Sequence, residues 1–146
     1  MAGHILIVEA PFYQHITDDL VKGVTQVLDK AGMTYERMSV PGAYEIPGVI
    51  SMVHTAKPAL YDGYVAVGCV IRGETSHYDY VAGESCRALM DLSLQGIALG
   101  NGILTVENEA QAIVRSDVTK KNKGGDAAEA CLAMVGVRRN LQAKNT

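Results

Sequence analysis

Apolar, β-branched runs alternate along the chain with stretches of helical periodicity. Four runs predict strands: His4 to Glu9, Thr34 to Val40, Tyr64 to Ile71 and Ile97 to Val106. The third is apolar throughout, which is typical of a strand buried on both faces. The fourth is interrupted by glycine, asparagine and glycine at 100–102.

Helical spacing fills the segments between these strands. The first helix places an apolar face from Ile16 to Ala31, with Thr17 expected as its N-cap and Gly32 as its C-terminal stop. Further helices are predicted from Pro47 to about Thr55, from Tyr78 to Gln95, from Asn108 to Arg115 and from Gly125 to Gln142.

The alternation of strands and helices predicts one α/β domain over residues 1–146, with a parallel sheet and helices on both faces. Ligands of such sheets bind at the carboxyl ends of the strands. Four segments are expected near that edge: Phe12, the loop at 41–47, the turn at 72–77 and the region of Asn101.

The turn after the third strand is the strongest candidate for chemistry. Gly73 permits a tight turn, and Glu74, Thr75 and Ser76 are expected in the first helical turn, where acidic and hydroxyl side chains suit unpaired N–H groups. His77 follows at the mouth and titrates near neutrality. The turn therefore offers an anion site beside a proton carrier. A surface or capping histidine is the simpler interpretation of this turn taken alone.

Composition narrows the classes of function. The chain of 146 residues carries a net charge of −3 and has no basic tract, which argues against nucleic-acid binding. No run approaches the ~20 apolar residues of a membrane span. Cys69, Cys86 and Cys131 are far apart and in no CxxC pair, so free thiols in a reducing compartment are expected, without a metal centre. A cytoplasmic location follows.

The helix from Tyr78 to Gln95 is more apolar than one sheet face requires. Its polar side chains form one narrow stripe, and apolar side chains occupy the rest. Because a helix that covers one face needs an apolar stripe of only about 100°, part of this surface is expected to meet another subunit. A few scattered exposed apolar side chains are the alternative.

Four motifs then stand in order: PGAYEIP at 41–47, GCVIRGETSHYDYV at 68–81, GILTVENEAQA at 102–112 and NKGGDAA at 122–128. Together they closely resemble the lumazine synthase family of riboflavin biosynthesis, from about Ile5 to the C-terminus. The resemblance implies a flavodoxin-like three-layer αβα sandwich with a four-stranded parallel sheet. It also implies homopentamers whose active sites lie at subunit interfaces.

The family joins 5-amino-6-(D-ribitylamino)uracil to 3,4-dihydroxy-2-butanone 4-phosphate and forms 6,7-dimethyl-8-ribityllumazine, phosphate and water. The partners implied are therefore a pyrimidine amine and a ketose phosphate. No cofactor and no metal are implied, and the sequence contains neither a P-loop nor a GxGxxG motif. Because the substrate supplies its own amine nucleophile, the protein needs chiefly to position substrates and move protons.

Three residues match the family's catalytic positions. His77 matches the histidine that shuttles protons, and Arg115 matches the phosphate-binding arginine, whose planar fork suits phosphate oxygens. Lys123 matches a lysine near the phosphate. Without the motifs, Arg115 is an exposed residue at a helix end, and Lys123 is a solvated lysine in a charged loop.

The remaining matches concern substrate binding. Phe12 resembles the residue that stacks on the pyrimidine, and Glu45 the acceptor for ribityl hydroxyls. The backbone N–H of Glu74 and the hydroxyl of Thr75 match the phosphate-binding turn. The full set of implied substrate-binding residues is Phe12, Ala43, Tyr44, Glu45, Cys69, Val70, Ile71, Glu74, Thr75, Asn101 and Arg115. The thiol of Cys69 itself is expected to be buried and inert.

Three departures from the family pattern bear on affinity and assembly. Asn101 stands where many relatives carry an aromatic residue, and Tyr13 where they often carry asparagine. Residues 117–121 (DVTKK) replace a glycine-rich bend of shell-forming relatives, and only three residues precede the first strand. We therefore expect pentamers that do not close into sixty-subunit shells.

Two other functions are compatible with the same scaffold. The first is a flavin- or lumazine-binding protein without catalysis, which would not need His77, Arg115 and Lys123. The second is a flavodoxin-like FMN or signalling module. Ala10, Pro11 and Phe12 lack the serine, threonine and glycine expected of its phosphate loop after the first strand, which argues against it.

Overall fold

The computed structural model describes residues 1–145. Among them, four strands alternate with five α-helices, and a short 3₁₀ turn (Ala43–Glu45) precedes the second helix. The elements are β1 (His4–Glu9), α1 (Gln14–Lys30), β2 (Thr34–Ser39), α2 (Ile46–Ala56), β3 (Gly63–Ile71), α3 (His77–Leu94), β4 (Leu99–Val106), α4 (Glu109–Ser116) and α5 (Lys123–Lys144).

The four strands form one parallel sheet in the order β2-β1-β3-β4. Ile5 and Ile7 of β1 pack on one side with α1, α4 and α5. Leu6 and Val8 of the same strand pack on the other side with α2 and α3. The predicted flavodoxin-like αβα arrangement with a four-stranded parallel sheet is therefore confirmed. The assignment of the whole chain to one domain stays a prediction.

Helix α1 begins three residues before the predicted N-cap, so that prediction for Thr17 is wrong. Thr17 is fully buried inside the helix, and its hydroxyl donates to the carbonyl of Ala10 at 3.2 Å. A tertiary contact thus uses a side chain that the sequence pattern assigned to a local cap. The C-terminal stop at Gly32 is confirmed, because this residue adopts φ +74° and its N–H bonds to Asp29.

Helix α3 begins at His77, so Glu74, Thr75 and Ser76 precede it and do not form its first turn. The hydroxyl oxygen of Thr75 accepts from the N–H of His77 at 3.4 Å. The prediction for these three residues is wrong by one turn. They form an exposed connection that reaches from the end of β3 to the start of the helix.

Strand β4 is not interrupted at 100–102, contrary to the prediction. Its pairing with β3 is continuous from Leu99 to Val106. Gly100 is required by packing, since a Cβ there would overlap the carbonyl oxygen of Ala127 on α5. Asn101 lies opposite Ala66 in the first half of the strand, so its predicted place at the carboxyl edge of the sheet is wrong.

The bend before α5 uses one left-handed residue. Asn122 has φ +45° and is the only non-glycine residue with positive φ among residues 1–145. Its side chain accepts from the N–H of Gly125 at 3.2 Å and caps α5. Asp117 accepts from both the N–H and the hydroxyl of Thr119, which lowers the pKa of its carboxyl. Residues 117–121 therefore turn without a glycine.

Helix α3 presents apolar side chains on two sides. Leu89 and Leu92 are buried against the sheet, whereas Tyr80, Met90 and Leu94 are exposed, the last by 79%. The predicted apolar excess on this helix is confirmed. Its predicted partner, a neighbouring subunit, stays a prediction. None of the helices within residues 1–145 combines the length and hydropathy that a membrane span needs.

Candidate active site

A cavity of about 840 Å³ opens at the carboxyl ends of β1 and β3. Three connections surround it: the one after β1, the one after β2 and the one after β3. Its lining residues are Phe12, Tyr13, Pro41, Gly42, Ala43, Tyr44, Glu45, Cys69, Val70, Ile71, Gly73, Thr75, His77, Tyr78, Tyr80 and Val81. We call this space the first cavity.

Phe12 contributes an open aromatic face to the first cavity. Its side chain is 74% exposed, and its ring meets Tyr13 edge-on with centroids 5.0 Å apart. The loop is held at its start, because the N–H of Ala10 donates to the carbonyl of Val67 at 2.9 Å. An exposed ring on an anchored loop is suited to stacking against a flat ligand.

The end of β3 forms the buried wall of the first cavity. Cys69 and Val70 are buried, and Ile71 is half-buried. Burial raises the pKa of the Cys69 thiol to about 11. The thiol stays protonated at neutral pH, so it is a poor nucleophile. This agrees with the expectation that the Cys69 thiol is buried and inert, and the use of its backbone groups stays a prediction.

His77 is exposed at the rim of the first cavity as the first residue of α3. Thr75 also lines the cavity, whereas Glu74 is exposed in the same turn and outside the lining. Tyr78 and Val81 follow His77 at helical spacing and complete this wall. That spacing was visible in the sequence and is the signal by which they were predictable.

Arg72 anchors the connection that carries His77, and the sequence analysis missed it. Its Nε donates to a carboxylate oxygen of Glu107 at 2.7 Å, which is the main cause of a raised guanidinium pKa. The guanidinium also lies over the Tyr78 ring, 4.3 Å from its centroid. No sequence signal joins these residues, because Glu107 lies on the connection after the next strand.

A second cavity, of about 370 Å³, lies along β4, the end of α4 and the first part of α5. It is lined by Asn101, Ile103, Leu104, Thr105, Arg115, Lys123, Asp126, Ala127 and Ala130. Arg115 is half-buried, and its guanidinium donates to the carbonyl of Gln111 at 3.1 Å. Lys123 is the first residue of α5, and its ammonium lies 3.2 Å from the carboxylate of Asp126.

The residues predicted for one site therefore fall into two groups within the chain. Phe12, the 43–45 loop, the 69–71 strand end, Thr75 and His77 share the first cavity. Asn101, Arg115 and Lys123 share the second. Asp126 was missed in the second group, although its position three residues after Lys123 on one helix face was a usable signal.

Within residues 1–145, no cluster of three or more histidine, cysteine, aspartate or glutamate side chains is arranged to hold a metal ion. The first cavity instead combines aromatic and apolar walls with His77, Glu45 and backbone groups. Such a lining suits a flat organic ligand with polar edges.

Comparison with known proteins identifies the family. The model of the 6,7-dimethyl-8-ribityllumazine synthase family matches residues 2–139. The chain belongs to this family. A protein of that name from Bartonella bacilliformis is 56% identical over 94% of this chain and 91% of its own length. A protein of the same name from Novosphingobium aromaticivorans is 56% identical over 91% of this chain and 94% of its own length. One from Paramagnetospirillum magneticum is 50% identical over 94% of this chain and 95% of its own length.

Membership in the lumazine synthase family makes the chain a transferase of riboflavin biosynthesis. The four motifs found in the sequence lie inside the matched region, so the predicted resemblance is confirmed. The parts played by individual residues are a separate matter and follow from their positions in the two cavities.

Proposed function

We propose that the two cavities are the two halves of a lumazine synthase active site. It condenses 5-amino-6-(D-ribitylamino)uracil with 3,4-dihydroxy-2-butanone 4-phosphate to give 6,7-dimethyl-8-ribityllumazine, phosphate and water. One observation carries the proposal: Phe12, Glu45 and His77 come from three separate connections and line the same cavity.

The first cavity holds the pyrimidine amine. The ring stacks on Phe12, and its polar edge meets the backbone groups at the end of β3. The ribityl chain lies along the loop at 43–45, where the carboxylate of Glu45 accepts hydrogen bonds from the sugar hydroxyls. The apolar walls exclude water from the reacting amine, which keeps it available for attack.

The ketose phosphate bridges the two halves. Arg115 and Lys123 supply two positive charges in the second cavity, and a guanidinium binds phosphate oxygens in a bidentate manner. The Glu74–Thr75 connection supplies a backbone N–H and a hydroxyl. We assign the contribution of Glu74 to its backbone N–H, because its carboxylate would repel the phosphate.

A complete site requires a second copy of the chain. The first cavity lacks the cations that bind phosphate, and the second lacks the aromatic platform. A head-to-tail ring joins the first cavity of one subunit to the second cavity of the next, because such contacts use two different surfaces. We propose a homopentamer, with the exposed apolar side chains of α3 buried at its interfaces. A cytoplasmic location stays a prediction.

Proton transfer is the main chemical task of the protein. The substrate amine attacks the ketone carbonyl and water leaves, which forms an imine. Loss of the proton on C3 then expels phosphate and leaves an enol, which becomes a ketone at C3. The ribitylamino nitrogen attacks this ketone, and a second water leaves as the ring closes. His77 stands at the rim of the first cavity, where it can take a proton from the attacking nitrogen and return it to a departing oxygen. Positioning of both substrates supplies much of the remaining rate.

The direct test mixes the protein with both substrates and follows lumazine formation by absorbance. Formation of lumazine and phosphate in equal amounts is the expected result. A protein that binds riboflavin or lumazine but forms no product would instead be a binding protein on this scaffold, and the proposed function would be wrong.

We expect His77→Ala to lower kcat while the assembly stays intact. General acid–base groups contribute ~10²–10⁴-fold. The lower end applies here, because the substrate amine is already nucleophilic. Turnover of the wild type and of His77→Ala is measured from pH 6 to 8, with light scattering as the control for assembly. An unchanged rate and pH profile for the alanine variant would remove His77 from the mechanism.

We also expect pentamers that do not close into shells. The bend at 117–121 contains β-branched Val118 and Thr119 and is closed by the hydrogen bonds of Asp117, so it resists the rearrangement a shell would need. Light scattering in phosphate and in Tris should give about five times the 15.6 kDa chain mass. A sixty-subunit species would contradict the assembly prediction and leave the catalytic one intact.

A further inference from the structure

Glu9 is a buried carboxylate outside both cavities. It is the last residue of β1 and is 6% exposed. Both of its oxygens accept from one guanidinium: Arg37 Nε at 2.7 Å and Arg37 Nη2 at 2.9 Å. The Arg37 side chain is 47% exposed, so water screens the attraction and we expect the pair to add little net stability. A bidentate contact between a guanidinium and a carboxylate also fixes the geometry of its partners.

The pair adds a side-chain contact near the end of β2, which is otherwise held by its backbone pairing with β1. β2 is an edge strand that pairs only with β1, and most of its residues are exposed. Arg37 lies two residues before its end. The backbone carbonyl of Glu9 also accepts from the N–H of Val40 at 2.8 Å. Glu9 therefore contacts this strand twice, immediately before the chain enters the loop of Ala43 to Glu45.

The same residue borders the loop that carries Phe12. Ala10 follows Glu9 directly, and its N–H donates to Val67 of β3. Its carbonyl accepts from Thr17 of α1. The loop of Phe12 follows β1, and the loop of Ala43 to Glu45 follows β2, so both loops of the first cavity leave the sheet beside Glu9. Glu9 thus joins the end of β1 to the end of β2.

We propose that Glu9 and Arg37 are positioning residues for the pyrimidine half of the active site. Their ion pair sets the distance between the loop of Phe12 and the loop of Ala43, Tyr44 and Glu45. This inference rests on the proposed function. It predicts an effect confined to the pyrimidine substrate, because the ion pair joins β1 to β2, whereas Arg115 and Lys123 lie on α4 and α5.

The test uses Glu9→Gln, Arg37→Lys and the double variant Glu9→Gln/Arg37→Met in the full-length protein. Glutamine keeps the shape of Glu9 but presents only one acceptor, and lysine keeps the charge of Arg37 but not its fork. Arg139→Met is the matched control. It removes a weaker arginine–carboxylate contact, to Asp62 at 3.3 Å, together with a hydrogen bond to the carbonyl of Ala2, at the opposite end of the sheet.

Steady-state kinetics should show the KM for the pyrimidine amine raised by about tenfold in Glu9→Gln, since small displacements of positioning groups have effects of this order or larger. The KM for the ketose phosphate should stay within about twofold of the wild type. The KM of Arg37→Lys for the pyrimidine amine should lie between those of the wild type and Glu9→Gln. Arg139→Met should change neither KM. Calorimetric titration with the lumazine product should show the same weakening without turnover.

The double variant separates positioning from the effect of an unpaired charge. If the pair positions the loops, the double variant keeps the raised KM, even where its melting temperature recovers. A double variant with wild-type use of the pyrimidine would overturn the inference, as would equal weakening of both substrates in Glu9→Gln. Wild-type protein that forms no lumazine would overturn the proposed function instead.

Discussion

Replacement of Arg115 by alanine is expected to raise the KM for the ketose phosphate by about 10- to 100-fold. Arg115 is the half-buried guanidinium of the second cavity. A hydrogen bond to a charged group contributes roughly 1.5–3 kcal/mol, and each 1.4 kcal/mol corresponds to about tenfold in affinity. The pyrimidine amine is proposed to bind in the first cavity, so its KM should change little.

Arg115→Lys provides the matched comparison. Lysine keeps the positive charge but loses the planar fork, so part of the phosphate affinity should return. Steady-state kinetics with each substrate varied in turn measures both constants. Equal weakening of the two substrates would show that Arg115 supports the fold and does not bind phosphate. A crystal grown with phosphate should place the anion between Arg115 and the Thr75 turn of a neighbouring subunit.

Replacement of Gly100 by alanine is expected to destabilise the protein more than any exposed substitution. The added Cβ would overlap the carbonyl oxygen of Ala127. The contacted atom belongs to the backbone near the start of α5, and it cannot move aside without shifting the helix. Overpacking of a core costs about 1–3 kcal/mol. We expect the upper end, and a melting temperature lowered by about 6–12 °C.

Gly48→Ala is the control for this substitution. Gly48 lies in α2, is exposed, and has no heavy atom within 4 Å of the added Cβ. Its replacement should leave stability unchanged or raise it slightly, because alanine is the better helix former. Calorimetric melting of both variants checks the pair. A Gly100→Ala protein as stable as the wild type would mean that α5 packs less closely on β4 than described.

The sequence by itself determined the order of the elements and the family. The apolar run from Tyr64 to Ile71 favours a strand buried on both faces, because it is rich in β-branched residues and too short for a buried helix. The strand and helix alternation then leaves a parallel sheet as the consistent arrangement. His77 was singled out because it follows a glycine turn between a buried strand and a helix, whereas Arg115 and Lys123 were named only through the resemblance to the lumazine synthase family. The roles of all three stay predictions.

Tertiary contacts decided what the local pattern could not. Thr17 is a residue type that commonly caps helices. Here it is buried, its hydroxyl donates to the carbonyl of Ala10, and α1 begins three residues earlier. Gly100 and Asn101 resemble a strand break, yet the close approach of α5 explains the glycine and sheet pairing keeps the strand continuous.

The separation of His77 from Arg115, and the pairing of Glu9 with Arg37, are likewise invisible in the sequence. Each depends on the positions of residues 28 or more apart along the chain. Hydrophobic periodicity determines which face of an element is buried, whereas the fit between faces determines which side chains meet across them.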